Sequence, residues 1–494
     1  MDGTRVLPGP ARGRALRTHP AALALTGVGG TLLVAALALA AARAGVPQDV
    51  TLPDWWGRWP TGDAARPGWA AAATAALAGL CVTWAALACA WLRDDRPGPR
   101  PRTLALVAAA WAVPLLPTGP MGSLDVQSYA AVGRLAALGL DPYRFGPGWL
   151  SGPYGAAVSP TWLWTPTPYG PVQVALVREI AEVSGDHVGL AVLLIRAAAV
   201  VGLAAAVALA VRAAPERERT AVLLLVALNP LLLVHVVSGA HLDVAVGALA
   251  VAVVMLARAE RHVSAMVAAV VALQIKLPGA VLVAYVALDI LRRSAPAVRR
   301  PRLTRAAGAG ALTAAATVAL FPNAFGWVGA LTVPGTVRSA MAPSTWVSYL
   351  LAGLTGRLDA GALALATTIG RVLVASAGVV LVLLLLRQAS EGTARGAFRG
   401  VGWALVVLSL AGPVTYPWYL TWGLFAAAVG SGPRGRLALL GLSTALALTS
   451  GQSGGLGAIV AVAGLLATAA VLWRERGAFV GPVLPTAGRP VETA

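Results

Sequence analysis

Long apolar segments alternate with short polar connectors along almost the whole chain. A run of about 17–25 apolar residues is long enough to span the hydrocarbon core of a bilayer as a helix. The pattern therefore predicts an all-α polytopic membrane protein, built as a bundle of transmembrane helices. The apolar segments lie at 21–42, 68–92, 103–118, 187–211, 220–237, 242–257, 265–291, 306–322, 361–386, 400–413, 418–430, 437–450 and 456–473.

Segment 265–291 differs from the others because QIKLP interrupts it at its middle and arginines flank it on both sides. Its two halves, of about 12 residues each, would span only about 18 Å as helices. We therefore expect the chain to enter the membrane and return here, with QIKLP ending inside the protein and not in lipid. Counted in this way, the sequence predicts about 13–14 crossings with both termini in the cytoplasm.

The net charge of +18 would suggest a nucleic-acid partner in a water-soluble protein. Here the arginines lie in short connectors, where they set the orientation of the helices and meet anionic lipid headgroups, so no nucleic-acid partner is expected. The same rule predicts cytoplasmic tails at 1–20 and 474–494 on either side of a transmembrane domain at 21–473. The apolar run at 21–42 is too long for a secretory signal core, and we expect it to remain as the first helix.

The connectors predicted to face outward are poor in arginine and rich in tryptophan, proline and tyrosine. Loop 119–186 is predicted to be the catalytic loop and loop 323–360 a second outer loop, because ordered loops of this length are usually functional. Interfacial anchoring explains most of the tryptophans, while Trp162 and Trp164 are also placed for stacking on a sugar. Cys81 and Cys89 both lie within one apolar segment, so the sequence indicates neither a disulfide nor a metal site.

The stretch SLDVQSYAAVGRLAALGLDPYRF, residues 123–145, concentrates charge in a chain that is only 12% charged. A helix is predicted over 124–140, and Asp125 at its start is expected near the outer membrane boundary. Asp125 could cap the helix, or act as a base toward a hydroxyl while a lipid-linked group waits in the bilayer. Asp141 precedes a proline and is expected to shape a turn, and Arg134 and Arg144 could pair with a phosphate.

Three further stretches carry candidate chemistry. In SGAHLD, His241 and Asp243 are predicted to share the compartment of Asp125, either as a structural histidine and a helix cap or as partners for an acceptor hydroxyl. This H-x-D offers at most two metal ligands, so no metal site is indicated. Lys276, the only lysine in the chain, either reaches toward the interface or neutralises a phosphate, for which Arg338 is another candidate.

The third stretch is TYPWYLTW, residues 415–422, at an outer helix entrance. An interfacial aromatic belt would explain Tyr416, Trp418 and Tyr419, and a clamp for a polyprenyl chain or a sugar is the alternative.

Taken together, these stretches resemble a known family. DVQSYAAVGRLAALGLDPY, TPTPYGPV, the H-x-D at 241–243, IKLP and YPWYLTWGL follow one another over about 103–430. They are similar to the GT-C polyprenol-phosphate-mannose-dependent α-1,6-mannosyltransferases of the MptA and MptB type, from the cell envelopes of high-GC Gram-positive bacteria. The most specific part of the resemblance is the series D-x-x-S-Y, G-x-D-P-Y and P-Y-G-P.

This resemblance implies a GT-C-like helix bundle and transfer of mannose from polyprenyl-phosphate-mannose to the 6-hydroxyl of a growing α-mannan. The acceptor would be a lipid-linked precursor of lipomannan or lipoarabinomannan, on the extracytoplasmic side of the plasma membrane. Asp125 matches the position of the family's base. A β-linked donor giving an α-linked product requires inversion, for which one carboxylate base is sufficient. No cofactor is expected. Whether a divalent metal is used stays open, because arginine or lysine near the phosphate could replace it.

The resemblance and the residue patterns together define the expected site. The residues expected at the donor phosphate are Lys276, Arg338, Arg134 and Arg144. Those expected at the sugar or the acceptor are Tyr129, Asp141, Tyr143, Trp164, Tyr169, His241 and Asp243. Those expected along the lipid chain are Tyr416, Trp418 and Tyr419.

Two other functions are compatible with the sequence. A transporter or flippase for a polyprenyl lipid or a glycan would also use a broken helix with an intramembrane lysine. A GT-C transferase for another sugar, such as arabinose, would share the same lipid-phosphate donor. The absence of an internal repeat, and the position of the polar residues at the outer rim, favour a transferase over a transporter.

Overall fold

The computed structural model describes residues 20–44, 67–92 and 99–449, except 322, 337–338, 355 and 357–358, together with the single positions 463 and 466. This part of the chain is helical and contains no β-strand, which confirms the predicted all-α class. The α-helices of its first half are α1 (Pro20–Ala44), α2 (Pro67–Leu92), α3 (Pro101–Ala112), α4 (Asp125–Ala137), α5 (Pro153–Ala156), α6 (Pro160–Leu163), α7 (Pro171–Ser184), α8 (Val188–Ala213), α9 (Arg219–Val226) and α10 (Pro230–Leu232).

The α-helices of the second half are α11 (Val244–Arg258), α12 (His262–Ile275), α13 (Gly279–Arg293), α14 (Pro296–Leu320), α15 (Gly326–Ala330), α16 (Pro343–Leu354), α17 (Ala360–Glu391), α18 (Ala394–Ala411), α19 (Thr421–Gly430) and α20 (Pro433–Thr449). Helix α10 continues as a π-helical segment, Leu233–Ser238. Short 3₁₀ segments occupy Val113–Leu115, Pro147–Trp149, Glu216–Glu218, Val333–Thr336 and Pro417–Leu420. Many of these helices begin with proline, whose missing N–H costs nothing in the first turn.

The predicted apolar segments coincide with these helices wherever the structure describes them, and the segment 456–473 lies almost entirely outside the described residues. Six described helices are long and apolar enough to cross a membrane, namely α1, α2, α8, α14, α17 and α18. A pair bent by 49°, Glu216–Val226 and Pro230–Ser238, would be a seventh. Their length and composition are those of a polytopic membrane protein, while the total of 13–14 crossings stays a prediction.

The predicted break in segment 265–291 is confirmed, because α12 and α13 are separate helices joined by Lys276–Pro278. They form an antiparallel hairpin, since His262 at the start of α12 lies 3.1 Å from the carboxylate of Asp289 at the end of α13. At the tip, Gln274 and Lys276 are buried and Leu277 is 45% exposed. The two polar side chains of QIKLP therefore end inside the protein, as the sequence predicted.

The hairpin tip, α4 and α7 approach each other closely. A Cβ at Gly133 of α4 would come within 2.1 Å of the backbone oxygen of Val177 on α7, so only glycine allows this packing. Just before α7, the N–H of Gly170 donates to the carbonyl of Ile275 at 3.0 Å. These contacts bring the start of α4, the loop before α7 and the hairpin tip to one end of the helix bundle.

Candidate active site

A pocket opens at this end of the bundle, beside the first turn of α4. We call it the Asp125 pocket; its empty volume is about 610 Å³, within the range of small-molecule sites. Its wall is mostly aromatic and proline-rich, and loop 165–168 closes one side. The side chains that line it include Asp125, Tyr129, Trp162, Tyr169, Tyr416 and Tyr419.

Asp125 is the first residue of α4 and is 9% exposed. It does not cap the helix, because Leu124 occupies the N-cap position and makes no side-chain cap bond. Instead its Oδ1 accepts a hydrogen bond from the indole N–H of Trp162 at 3.0 Å. Burial raises the pKa of Asp125 to about 6, although the positive charge of Lys276 and the bond from Trp162 act in the opposite direction. A carboxylate with this pKa is ionised at neutral pH and can accept a proton.

Tyr129 lies one turn after Asp125 and connects the pocket to a buried group of rings. Its hydroxyl is 3.2 Å from that of Tyr169 and 2.9 Å from Nδ1 of His241. His241 stacks on Trp418 with ring centroids 3.7 Å apart, and Trp418 stacks in turn on Tyr416 at 4.7 Å. Burial lowers the pKa of His241 well below its usual range, so its imidazole is neutral. The two tyrosines line the pocket and His241 supports one of them from behind.

Lys276 at the hairpin tip forms an ion pair with Asp243, with Nζ 2.7 Å from Oδ1. The same Oδ1 accepts the indole N–H of Trp422 at 2.8 Å. Asp243 is the N-cap residue of α11 but makes no side-chain cap bond, and Lys276 is buried. The ammonium lies over the rings of Tyr169 and Tyr419, 4.8 and 4.3 Å from their centroids. The ion pair therefore forms a charged layer directly behind the aromatic wall of the pocket.

Several predicted site residues lie away from the Asp125 pocket. Arg134 pairs with Asp186 at 2.6 Å, and Arg144 is exposed beside Phe145. Asp141 accepts the backbone N–H of Tyr143 at 2.9 Å, which is the turn role that its sequence position suggested. The ring of Tyr143 is buried next to Gly326.

Trp164 is 66% exposed and is not part of the pocket wall. Arg338 lies outside the described residues. No group of three or more His, Cys, Asp or Glu side chains that could hold a metal ion occurs in the described part of the chain.

Two contributing residues were not among the predicted site residues. Trp162, rather than Trp164, donates to Asp125, and the sequence WLW does not show which tryptophan turns inward. Arg196 of α8 is 1% exposed and donates to the backbone oxygens of Leu116, Thr118 and Ser238 at 2.7, 2.8 and 2.9 Å. It joins the segment that leads to Asp125 to the segment that leads to His241. An arginine within a long apolar run was the only signal in the sequence.

Two family models match the chain. Residues 24–292 match the family model described as the N-terminal domain of α-(1→6)-mannopyranosyltransferase. Residues 344–475 match the model of the MptB C-terminal domain. The first match contains Asp125, Tyr129, Tyr169 and the Lys276–Asp243 pair, and the second contains the stretch 415–422.

Individual relatives show the same similarity. The chain is 29% identical to α-(1→6)-mannopyranosyltransferase A of Mycobacterium tuberculosis over 69% of its length and 68% of the relative. It is 28% identical to α-(1→6)-mannopyranosyltransferase B of Corynebacterium glutamicum over 64% of its length and 56% of the relative. The alignments thus span between about half and two thirds of these relatives. No solved structure matches the chain.

Proposed function

The chain belongs to the family of α-(1→6)-mannopyranosyltransferases, and we propose that it transfers mannose from polyprenyl-phosphate-mannose to the 6-hydroxyl of an α-mannan chain. It is accordingly a membrane mannosyltransferase, with a sugar donor and a mannan acceptor. The proposal adds the lipid-linked donor, a lipid-linked acceptor of the lipomannan or lipoarabinomannan type, inversion at the anomeric carbon and Asp125 as the base. It also assigns the pocket to the extracytoplasmic side of the plasma membrane.

The observation that carries the proposal is a single buried carboxylate in an aromatic pocket. The indole of Trp162 holds Oδ1 of Asp125, which leaves Oδ2 to take the proton of the acceptor hydroxyl. The oxygen of that hydroxyl then attacks the anomeric carbon from the face opposite the phosphate. The bond to the phosphate breaks, and the lipid phosphate leaves with the electron pair. One base is enough for this inversion because no covalent intermediate is needed.

The aromatic wall can bind the sugar and the lipid chain of the donor. Tyr129 and Tyr169 present hydroxyls to the pocket, and burial raises the pKa of both, so they stay protonated and can donate to sugar oxygens. Tyr416 and Tyr419 line the same pocket and can pack against the sugar or the first units of the lipid chain. Trp418 is buried behind Tyr416 and supports its ring.

Positive charge at the departing phosphate would come from two places. The cation of Lys276 lies directly behind Tyr169 and Tyr419, where it stabilises negative charge that develops in front of these rings. The second source that the sequence predicts is Arg338, which lies outside the described residues. On this proposal the reaction uses charges of the chain itself and no cofactor.

The test is transfer from radiolabelled polyprenyl-phosphate-mannose to an α-1,6-mannoside by membranes that contain the protein. We expect Asp125→Asn to lower the rate by a factor of about 100 or more, since a positioned general base contributes about 10²–10⁴. The matched control is Asp186→Asn, the same chemical change in the same loop at a side chain that is 81% exposed. We expect the control to stay within about twofold of the wild-type rate.

Two results would contradict the proposal. Equal rates for Asp125→Asn and the wild type would show that Asp125 is not the base. Movement of the lipid across the bilayer by the wild type, without any mannose transfer, would favour the flippase instead. Melting temperatures of the purified variants show whether each one is folded.

A further inference from the structure

A second cavity lies at the other end of the helix bundle. It has an empty volume of about 690 Å³ and is formed by the first turns of α18 and by the turn between α19 and α20. Helix α18 has 18 residues and is therefore about 27 Å long. Its last residues lead into the wall of the Asp125 pocket, while Arg399 in its second turn and Trp403 at its middle line the second cavity. The two cavities thus lie at opposite ends of the same helices.

Arginines surround this second cavity in excess of nearby acidic groups. Arg395 and Arg436 both pair with Glu218. Arg399 and Arg434 line the cavity and are exposed, and neither takes part in the ion pairs of the described residues. In the part of the chain that the structure describes, two guanidinium groups therefore line one concave site and no carboxylate pairs with them. Such a site attracts an anion, and guanidinium groups bind phosphate in a bidentate manner.

The position of the cavity in the fold indicates which anion is available. Trp403 is half-buried, and its indole N–H donates to Ser431 Oγ at 3.0 Å, which fixes the ring in the cavity wall. Trp403 lies at the start of the apolar segment 400–413, and a tryptophan at the boundary of an apolar membrane segment lies at the level of the lipid headgroups. Both arginine-bearing connectors, at 387–399 and 433–436, belong to the face that the sequence predicts as cytoplasmic. Basic pockets between transmembrane helices on that face bind anionic lipid headgroups.

We propose that Arg399 and Arg434, beside Trp403, form a binding site for the phosphate group of an anionic phospholipid. The headgroup phosphate lies between the two guanidinium groups, and the acyl chains follow the apolar surface of α18 away from them. Because α18 and α19 also lead to the Asp125 pocket, a lipid bound here holds their ends together. The site does not depend on the function proposed for that pocket.

The test measures lipid binding to the purified full chain by native mass spectrometry. The lipids are phosphatidylglycerol, which is anionic, and phosphatidylcholine, which is zwitterionic. The variant is Arg399→Gln/Arg434→Gln, and the matched control is Arg300→Gln/Arg305→Gln, which removes two exposed arginines from another connector of the same predicted face. We expect the first variant to bind phosphatidylglycerol about tenfold more weakly or worse, because it loses the charge-assisted bonds of both guanidinium groups; tenfold corresponds to about 1.4 kcal/mol. The control should stay within about twofold.

Thermal unfolding provides an independent readout. Phosphatidylglycerol should raise the melting temperature of the wild type and of the control variant but not that of Arg399→Gln/Arg434→Gln, since only a lipid that binds the folded state stabilises it. If both variants lose the same amount of phosphatidylglycerol binding, the lipid is attracted by exposed arginines in general and the proposed site is wrong. Equal binding of the two lipids to the wild type would do the same. If inorganic phosphate displaces the lipid at equal concentration, the site binds a free anion and the lipid assignment is wrong.

Discussion

At the scale of single residues, the chemistry of the pocket depends on what surrounds one carboxylate. Asp125 is buried among aromatic rings, and its Oδ1 is already bonded to the indole of Trp162. Burial disfavours the charged form, whereas the indole bond and the nearby cation favour it. The pKa of Asp125, about 6, is the balance of these effects. Since a base works only when it is ionised, the rate of transfer should rise with pH through this value.

Trp162→Phe tests this balance, because it removes the hydrogen bond and keeps an aromatic ring. The bond lowers the pKa of Asp125, so its loss raises the pKa and moves the acidic limb of the rate profile to higher pH. We expect a shift of about one pH unit, since a bond to a charged group contributes about 1.5–3 kcal/mol and one unit is about 1.4 kcal/mol. The measurement is the initial rate of mannose transfer at intervals of about one pH unit between pH 5 and 8.

The control for this profile is Trp149→Phe, a change in the same loop at a side chain that is 64% exposed. Its profile should coincide with that of the wild type. If Trp162→Phe also leaves the acidic limb in place, the limb belongs to a group other than Asp125.

The sequence predicted the main residues of the pocket but not the way in which they pair. Asp125, Tyr129 and Tyr169 were found because they lie in polar and aromatic stretches of an otherwise apolar chain, and because these stretches resemble those of a known family. The choice between Trp162 and Trp164 depends on the path of a proline-rich loop, which no periodicity describes. Lys276 stays a candidate for the donor phosphate, and its pairing with Asp243 behind the aromatic wall was not predicted. Asp243 is 33 positions away in the chain, and such long-range pairing is a property of tertiary packing.

At the scale of elements, the α12–α13 hairpin explains why a polar tip is stable within an apolar bundle. At the open end of the hairpin, α12 and α13 are held together by Asp289, which is fully buried and lies near Arg258, Arg293 and His262. At its tip, Lys276 forms an ion pair with Asp243. The sequence predicted the break from QIKLP, but neither of the two clusters that hold the hairpin together.

The ion pair at the tip should show strong coupling. Lys276→Met leaves the carboxylate of Asp243 buried without a cation, and breaking a buried pair in this way costs about 3–5 kcal/mol. We expect a large drop in the melting temperature of the purified protein for Lys276→Met. The double variant Lys276→Met/Asp243→Asn removes both charges and should recover most of the loss. A single variant as stable as the wild type would show that the pair does not hold the hairpin.

Gly170 tests the contact between the hairpin tip and the loop before α7. A Cβ at this position would come within 2.0 Å of the backbone oxygen of Gln274, so Gly170→Ala must push the tip away from Tyr169. We expect the rate of transfer to fall by a factor of about 10–100, because small misplacements of catalytic geometry are costly. Gly119→Ala is the control, since a Cβ there meets no atom within 4 Å. Equal rates for both variants would mean that the backbone contact is not required.

At the scale of the whole molecule, Arg196 connects parts of the chain that are far apart in sequence. Its three carbonyl partners lie on the segments that lead to Asp125 and to His241. Arg196→Lys keeps the charge, but a single ammonium cannot reproduce the fork of the guanidinium. We expect a lower kcat with a KM changed by less than about twofold, because the substituted residue positions the pocket and does not contact substrate. A change in KM alone would place Arg196 in substrate binding.

The orientation of the molecule in the membrane decides whether the donor can reach the pocket, since a donor anchored in one leaflet reaches only a pocket on its own side. The positive-inside pattern predicts that the Asp125 end faces outward and the arginine-rich end faces the cytoplasm. Ser151→Cys in the catalytic loop and Arg300→Cys on α14 place exposed thiols at the two ends. The native Cys81 and Cys89 are buried and should not react. In intact cells, a membrane-impermeant maleimide should label Ser151→Cys and leave Arg300→Cys unlabelled until the membrane is permeabilised. The reverse result would place the carboxylate in the cytoplasm, on the side opposite to the proposed donor and acceptor.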